Sequence, residues 1–248
     1  MTAITRWLAT AVLALGLALL VACGGDDEGD GGDGGGGDET ATAAALNPED
    51  FQATVDNRFL PLRPGTKLLY EGEEQDPDTG ETVKIRVEST VLEETDTIAG
   101  VEVTVVQVMD FEYDELVEST LDHYAQHKDG TVYYMGERVD DYEDGEVVGH
   151  GGQWIAGEDG AQAGIFMPAD PQVGDEFEQE RAPGVAEDQS TIIAVDESVE
   201  TPAESFSGCV KTEDFDPIGG GKETKFYCPE VGLVREEAGD TFAELVSR

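Results

Sequence analysis

The feature that most constrains the fold is a two-residue alternation of apolar and polar side chains that begins after Thr66. Across residues 83–91, valine and isoleucine alternate with lysine, arginine and glutamate. Because successive side chains of a β-strand point to opposite faces, this run predicts a half-buried antiparallel strand. Residues 101–105 repeat the pattern, so one face of the sheet is expected to be apolar and the other acidic.

Further strand-like runs follow at short intervals. They cover residues 116–126, 131–136, 146–149, 176–181, 191–195, 206–212, 224–228, 233–236 and 242–246. Turn-forming pairs such as Asp129-Gly130, Asp144-Gly145 and Gly239-Asp240 separate them. This succession predicts an all-β domain, mainly an antiparallel meander, that closes as a barrel, a half-barrel or a sandwich.

One short helix is expected before the strands. The run Asn47-Pro48-Glu49-Asp50 combines a capping asparagine, a proline suited to the first turn and acids at the positive helix end. Asn57 and the prolines Pro61 and Pro64 indicate that the helix has ended before them.

The N-terminal residues predict an exported protein with a lipid anchor. Arg6 precedes an uncharged apolar run at residues 7–21, whose length of about 15 residues suits a signal peptide better than a membrane span. The run ends in Leu20-Val21-Ala22-Cys23, which resembles the lipobox of bacterial lipoproteins. In that class Cys23 would carry a diacylglyceryl group and become the new N-terminus. The alternative is an ordinary signal peptide cleaved after Ala22.

Three segments follow from this interpretation. Residues 1–22 form the signal peptide, residues 23–46 the acylated cysteine with a Gly/Asp-rich tether, and residues 47–248 a single β domain. The tether has almost nothing to bury, so it is expected to be a flexible coil spanning on the order of 25–30 Å. The domain is then expected at the cell membrane, on its extracytoplasmic side.

The charge balance excludes one large class of partner. The chain carries 56 acidic and 14 basic residues, a formal net charge of −42. Binding to nucleic acid needs clustered lysine and arginine, which the sequence lacks. An anionic bilayer would repel this surface, so membrane association is expected through the lipid anchor alone. Weak Ca²⁺ association with the acidic surface is expected, and the sequence points to no protein partner.

Two cysteines remain after Cys23 is assigned to the lipid. Cys209 and Cys228 flank a midpoint at Ile218-Gly219, where a hairpin would turn, so they would face each other across two antiparallel strands. In an exported chain this arrangement predicts a disulfide. Two independent small buried residues are the alternative.

The sequence offers no clear metal or cofactor site. His123 and His127 would lie about 13 Å apart on one strand face, too far to share a zinc ion. The acidic runs at residues 140–151 and 26–37 each miss positions that an EF-hand loop requires. We therefore predict no metal site and no cofactor.

Catalytic motifs are likewise missing. There is no Gly-x-Ser-x-Gly elbow, and acid pairs such as Asp110 and Glu112 occur too often to be specific. The sequence thus favours a non-enzymatic binding or surface module for a small apolar ligand or an envelope partner. A carboxylate- or metal-assisted hydrolase, which would need at least two acids with raised pKa in one cleft, and a structural acidic envelope protein are the alternatives.

Aromatic and sulfur-containing side chains supply the candidate ligand site. The residues expected to line one mouth of a small barrel are Tyr124, Tyr133, Trp154, Phe166 and Met167. The last three fall in residues 149–174, a long Gly- and Ala-rich stretch expected to be a loop that acts as a lid or as a plug closing the sheet. An ordinary hydrophobic core is the alternative for the aromatic residues.

Several runs resemble a group of uncharacterised bacterial secreted proteins and lipoproteins. The matching runs are Asn57-Arg58-Phe59-Leu60-Pro61-Leu62, Leu121-Asp122-His123-Tyr124-Ala125-Gln126, Val132-Tyr133-Tyr134-Met135-Gly136-Glu137, Gly164-Ile165-Phe166-Met167-Pro168-Ala169 and Pro229-Glu230-Val231-Gly232-Leu233-Val234. The resemblance covers roughly residues 57–246 and implies export, but no activity.

Overall fold

The computed structural model describes residues 46–52, 54–76 and 79–248, which form an almost wholly β structure. The predicted signal peptide, Cys23 and nearly all of the predicted tether lie outside the described residues. In the part of the chain that the structure describes, no helix combines the length and hydrophobicity that a membrane crossing needs.

The strands follow one another along the described chain. The first are β1 (Phe51–Gln52), β2 (Val55–Asn57), β3 (Leu60–Leu62), β4 (Lys67–Gln75), β5 (Thr82–Ile98), β6 (Val101–Glu112), β7 (Glu115–His127), β8 (Val132–Glu143) and β9 (Glu146–Gly149). The others are β10 (Trp154–Ile155), β11 (Gln162–Met167), β12 (Glu176–Glu178), β13 (Glu180–Arg181), β14 (Gln189–Glu200), β15 (Ser205–Phe215), β16 (Lys222–Cys228), β17 (Gly232–Ala238) and β18 (Thr241–Ser247).

The main sheet curls until its two ends come together. Its antiparallel order is β12-β14-β15-β16-β17-β18-β4-β5-β6-β7-β8-β11-β13, with β1 added to β7 and with β9 and β10 added to β8. The terminal strands of this order, β12 and β13, are separated in sequence only by Gln179. The sheet is therefore a nearly closed barrel, which confirms the all-β prediction and selects the barrel among its three forms.

The N-terminal helix is a single 3-10 turn, Pro48–Asp50. Asn47 caps it as expected, with its side chain accepting a 3.4 Å hydrogen bond from the amide of Glu49. The chain then becomes extended, because Phe51 and Gln52 pair with β7 as strand β1. The short helix predicted here is therefore a single 3-10 turn, since the strand pairing begins at Phe51.

The strand register places acids on the inner face of the barrel. Val87 lies opposite Asp110, and Asp110 lies opposite Glu118, so the three side chains share one face. Asp110, Glu118 and Asp122 are all buried. The expectation that acids occupy only the outer face is wrong, and the interior has an apolar part and an acidic part.

The hairpin β2–β3 covers the apolar end of the barrel. Asn57 donates through Nδ2 to the carbonyls of Gly130 and Pro168, at 3.0 and 3.1 Å. Gln126 Oε1 accepts from the amides of Asp56 and Asn57, at 2.8 and 2.9 Å. These bonds fix the hairpin to β7 and to its neighbouring loops.

The predicted disulfide joins β15 to β16. Cys209 and Cys228 have their Cα atoms 4.2 Å apart, next to the register pair Val210 and Tyr227. The connecting turn is closed by a hydrogen bond from the Gly220 amide to the Asp216 carbonyl. The disulfide prediction and the position of its hairpin turn are confirmed.

The stretch at residues 149–174 is partly built into the sheet. Its strands β10 and β11 both pair with β8. Gly136 makes this possible, because its φ is +117° and a Cβ there would lie 2.3 Å from the Trp154 carbonyl oxygen. The expectation that the whole stretch is one loop is therefore wrong, since Trp154–Ile155 and Gln162–Met167 are strands.

Candidate functional site

A cleft of about 290 Å³ opens on the barrel wall beside β8 and β10. Its apolar wall consists of Trp154, Ile155, Ala161, Ala182, Pro183 and Val185. Its polar lining consists of Glu137, Arg138, Gln153, Glu158 and Asp159. The cleft thus offers an apolar wall and a set of carboxylates to the same occupant.

The strand register aligns three side chains in a row, of which Trp154 and Glu137 line the cleft. Trp154 of β10 lies opposite Glu137 of β8, and Glu137 lies opposite Asp122 of β7. Directly opposite residues of antiparallel strands point to the same face, so all three point into the barrel.

Two carboxyl groups in this region are buried without a full set of hydrogen bonds. Glu137 and Glu180 are each 1% exposed. Oε1 of Glu137 and Oε2 of Glu180 have no hydrogen-bond partner in the structure. The other oxygen of Glu180 accepts a long hydrogen bond, 3.4 Å, from the indole nitrogen of Trp154. An unsatisfied buried acceptor is costly, so these oxygens favour any donor that reaches them.

Burial holds these acids in their protonated form. Burial raises the pKa of Glu137 well above its ordinary value, and the charges of Glu180, Asp122 and Glu118 raise it further. The pKa of Glu180 is raised in the same way, by burial and by Asp188. Both groups are therefore expected to be neutral acids near pH 7 in the absence of a cation.

The acidic part of the interior continues past the cleft. Burial, assisted by neighbouring carboxylates, raises the pKa of Asp110 to about 7 and that of Glu118 to about 8. Burial also raises the pKa of Asp122 to about 7, although the Tyr134 hydroxyl donates to it at 2.9 Å and partly offsets the effect. The barrel interior is therefore a network of acids that titrate near neutral pH.

A second carboxylate group in the interior contains its own cation. Nζ of Lys225 lies 3.2 Å from Oδ2 of Asp214 and 2.9 Å from Oε2 of Glu223. Burial lowers the pKa of Lys225, but the charges of Glu223, Glu236 and Asp214 outweigh this and raise the pKa well above its ordinary value. The lysine is therefore a permanent ammonium ion among carboxylates.

An apolar cavity of about 70 Å³ lies inside the other end of the barrel. Tyr124, Phe166 and Tyr227 contribute its aromatic lining, and Leu60 and Leu62 of the β3 strand close it. This volume is room for about two water molecules, far below the roughly 300 Å³ at which ordinary ligand pockets begin. The cavity lies under the β2–β3 hairpin, whereas residues 149–174 contribute only Phe166 to its lining.

The five residues predicted to line one mouth do not line a common pocket, although the ring of Tyr134 packs against those of Tyr124, Phe166 and Trp154. Tyr124 and Phe166 share the small cavity, with ring centroids 5.0 Å apart. Trp154 lines the cleft, and Met167 is fully buried in the core. Tyr133 packs with Phe51 and His127 in another aromatic group. Ligand binding by these five residues stays a prediction.

The histidines also lie apart from one another. His123 is buried, with Nδ1 3.1 Å from the Gly136 carbonyl and Nε2 3.0 Å from a nitrogen of Arg138. His127 instead pairs with Asp129 at 3.0 Å. Among residues 46–52, 54–76 and 79–248, no three His, Cys, Asp or Glu side chains are arranged to hold a metal ion.

Sequence reasoning missed Glu137 and Glu180. Tyr134 and Glu137 lie three residues apart and yet both point inward, because the register of β8 shifts next to Gly136. Simple alternation assigns the two residues to opposite faces. The signal that could have revealed the shift is the glycine itself, since an isolated glycine in a strand often marks a bulge.

Comparison with known proteins adds little. No family model and no curated protein matches the chain. A solved protein from Bacteroides fragilis, described as exported with a YmcC-like fold, aligns at a TM-score of 0.45 and 16% identity, covering 77% of this chain and 98% of its own. A protein from Parabacteroides distasonis, described as a lipoprotein, aligns at 0.40 and 16%, covering 79% and 99%. At these values the likeness supports no conclusion about fold, location or ligand.

Proposed function

We propose that the protein is a lipid-anchored extracytoplasmic β-barrel module that binds a small ligand in the Glu137 cleft and releases it unchanged. The observation that carries the proposal is a cleft of about 290 Å³ whose lining includes Glu137, a buried residue with one carboxyl oxygen that has no hydrogen-bond partner. This volume is close to the lower limit of about 300 Å³ for ordinary ligand pockets, so the ligand is small.

The anchor rests on the sequence Leu20-Val21-Ala22-Cys23 and on the soluble Gly/Asp-rich stretch that follows it. Labelled palmitate is expected to enter the wild-type protein and to be missing from Cys23→Ala. Equal labelling of Cys209→Ala/Cys228→Ala and wild type would show that the label requires Cys23 alone. Labelling of Cys23→Ala would contradict the anchor.

Ligand occupancy can be tested by blocking the cleft. Val185 lines the cleft and is 36% exposed, so Val185→Trp fills the opening at a position that tolerates a larger side chain. Val147, which is 46% exposed on β9, provides the matched control Val147→Trp. Each protein is purified from bacterial membranes, and its small-molecule content is measured by native mass spectrometry and extraction.

The expected result is a small molecule that accompanies the wild type and Val147→Trp but not Val185→Trp. The same molecules in all three proteins, or none in any of them, would contradict the proposal.

A second candidate function is carboxylate-assisted hydrolysis. The observation that favours it is the pair of buried acids Glu137 and Glu180, whose raised pKa values are typical of general acids. The two functions differ in the fate of the ligand. Recovery of the intact molecule after prolonged incubation supports binding, whereas a hydrolysis product that disappears in Glu180→Gln supports the enzyme.

A further inference from the structure

We infer that the occupant of the cleft is a small organic primary ammonium ion, which donates hydrogen bonds to Glu137 while its apolar body packs against Trp154 and Val185. This inference rests on the proposed function and adds the chemical class of the ligand. Four features of the described residues support it.

The first feature is an unused acceptor on a residue that lines the cleft. Glu137 lines the cleft and is only 1% exposed, and its Oε1 atom has no hydrogen-bond partner. The carboxylate form of Glu137 can only accept hydrogen bonds, so a group that binds to it in that form brings a donor. An ammonium N–H is a strong donor to a carboxylate, and a charge-assisted bond of this kind is about twice as strong as a neutral one.

The second feature is the sign of charge around the cleft. Glu158 and Asp159 line it together with Glu137. Arg138 also lines it, but its guanidinium lies 3.0 Å from Oδ2 of Asp96 and is therefore already paired. The cleft thus attracts a cation and repels an anion.

The third feature selects an organic ammonium over a metal ion. No group of three metal-ligating side chains occurs in the described part of the chain, so the cleft lacks the ligand set of a Ca²⁺ site. The wall from Trp154 and Ile155 to Ala182 is apolar and suits a hydrocarbon body. A quaternary ammonium has no N–H to donate, so a primary ammonium fits the unused acceptor best.

The fourth feature is the lysine group elsewhere in the same barrel. There Lys225 brings a primary ammonium on a hydrocarbon stem between Asp214 and Glu223. The fold therefore already stabilises this functional group among buried carboxylates. The lining of the cleft contains one buried carboxyl group, that of Glu137, and no lysine.

Binding replaces the proton on Glu137 with the ammonium ion of the ligand. In the free protein Glu137 holds a proton, faced by Asp122 and Glu118 of β7, by Glu180 of β13 and by the Tyr134 hydroxyl. The ammonium ion stabilises the carboxylate form, so the Glu137 proton leaves to solvent when the ligand binds. Acidification is therefore expected to weaken binding.

The test compares benzylammonium with benzyl alcohol, a neutral molecule of nearly the same shape. The full-length gene is expressed in a bacterial host and the protein is purified from membranes in detergent. Titration calorimetry at pH 7 in two buffers of different ionisation enthalpy measures affinity and proton release together. We expect benzylammonium to bind at least about tenfold more tightly than the alcohol, the factor that one charged hydrogen bond supplies, and to release a proton.

The variant test removes the charge of one carboxyl group. Glu137→Gln keeps the shape but is expected to lose at least about tenfold in benzylammonium affinity and to abolish proton release. Glu143→Gln, which changes an exposed acid on the same strand, is the matched control and should leave both quantities unchanged.

Several results would overturn the inference: equal affinity for the alcohol and the ammonium, binding without proton release, or undiminished binding to Glu137→Gln. If Glu137→Gln does not fold, the comparison of the two ligands on the wild type decides. A neutral or anionic molecule recovered from the cleft would overturn this inference and leave the proposed function standing. An empty cleft in the native-mass experiment would overturn both.

Discussion

Two carboxylate groups inside the barrel differ in one component. The lysine group contains Asp214, Glu223 and Glu236 around the ammonium of Lys225. The cleft group contains Asp122, Glu137 and Glu180 and has no such lysine among them. Apart from Glu223, whose side chain is 19% exposed, the members of both groups are buried.

The comparison shows two ways in which the free-energy cost of burying a carboxylate is reduced. Where the chain supplies a cation, Asp214 and Glu223 are held as ion pairs and the lysine stays charged, although burial still raises the pKa of Glu236 well above its ordinary value. Where it supplies none, the carboxyl groups retain protons, because isolated charges are costly to bury. The first solution is fixed, whereas the second changes with pH and with any cation that can enter.

The largest expected effect comes from removing the internal cation. Lys225→Met leaves the buried Asp214 and the partly exposed Glu223 without their counterion, so we expect the free energy of unfolding at pH 7 to fall by about 3–5 kcal/mol. Urea unfolding followed by circular dichroism measures the change.

The matched control for this prediction is Lys222→Met on the same strand. Lys222 pairs with Glu213 at 2.6 Å, but its side chain is 60% exposed, so a loss below about 1 kcal/mol is expected. Equal losses of unfolding free energy in Lys225→Met and Lys222→Met would show that the buried lysine contributes no more to stability than the exposed one.

The next effect concerns the pH dependence of stability. Asp110, Glu118 and Asp122 have folded-state pKa values of about 7, about 8 and about 7, above the ordinary value near 4 of an unfolded carboxyl group. The folded state therefore holds more protons between about pH 4 and pH 8, and the free energy of unfolding should fall as the pH rises through this window.

Asp110→Asn removes one of these titrating groups. Between pH 5 and pH 8, the free energy of unfolding of this variant is expected to fall less than that of the wild type, by on the order of 2 kcal/mol. Asp240→Asn changes an exposed acid in a turn and should follow the wild-type curve. Stability that rises from pH 5 to pH 8 in the wild type would contradict the protonated interior.

The smallest expected effect concerns the donor beside the cleft. Trp154→Phe removes the indole N–H that reaches Glu180 at 3.4 Å, so a loss of about 1 kcal/mol is expected at pH 6. Tyr113→Phe removes an exposed donor, 3.0 Å from the Thr82 carbonyl, and should change stability less. A larger loss in Tyr113→Phe than in Trp154→Phe would show that the buried bond is of little importance.

Local sequence patterns predicted much of the fold and little of the site. Alternation at residues 83–91 identified strand β5, and the symmetric spacing of Cys209 and Cys228 about a glycine-rich turn identified a disulfide-linked hairpin. Such features depend on neighbours in the chain or on a single turn. The closing contact of β13 with β11 joins segments whose pairing no local pattern specifies.

The site escaped prediction for the same reason. Glu137 points inward because of a register shift beside Gly136, and it meets Glu180 only after the barrel closes. A sequence with 56 acids also gives no reason to single out either of them. Aromatic residues were easier to notice, but their positions depend on tertiary contacts and separate Tyr133 from Trp154.

The most direct test of the account is infrared difference spectroscopy of the carboxyl groups at pH 7. Several buried acids contribute to the protonated carboxylic acid band of the free protein. We predict that one component of this band disappears on saturation with benzylammonium and is missing in Glu137→Gln, while Glu143→Gln keeps it. A free protein without such a band, or a band that benzylammonium leaves unchanged, would contradict the claim that the cleft group holds protons in place of a cation.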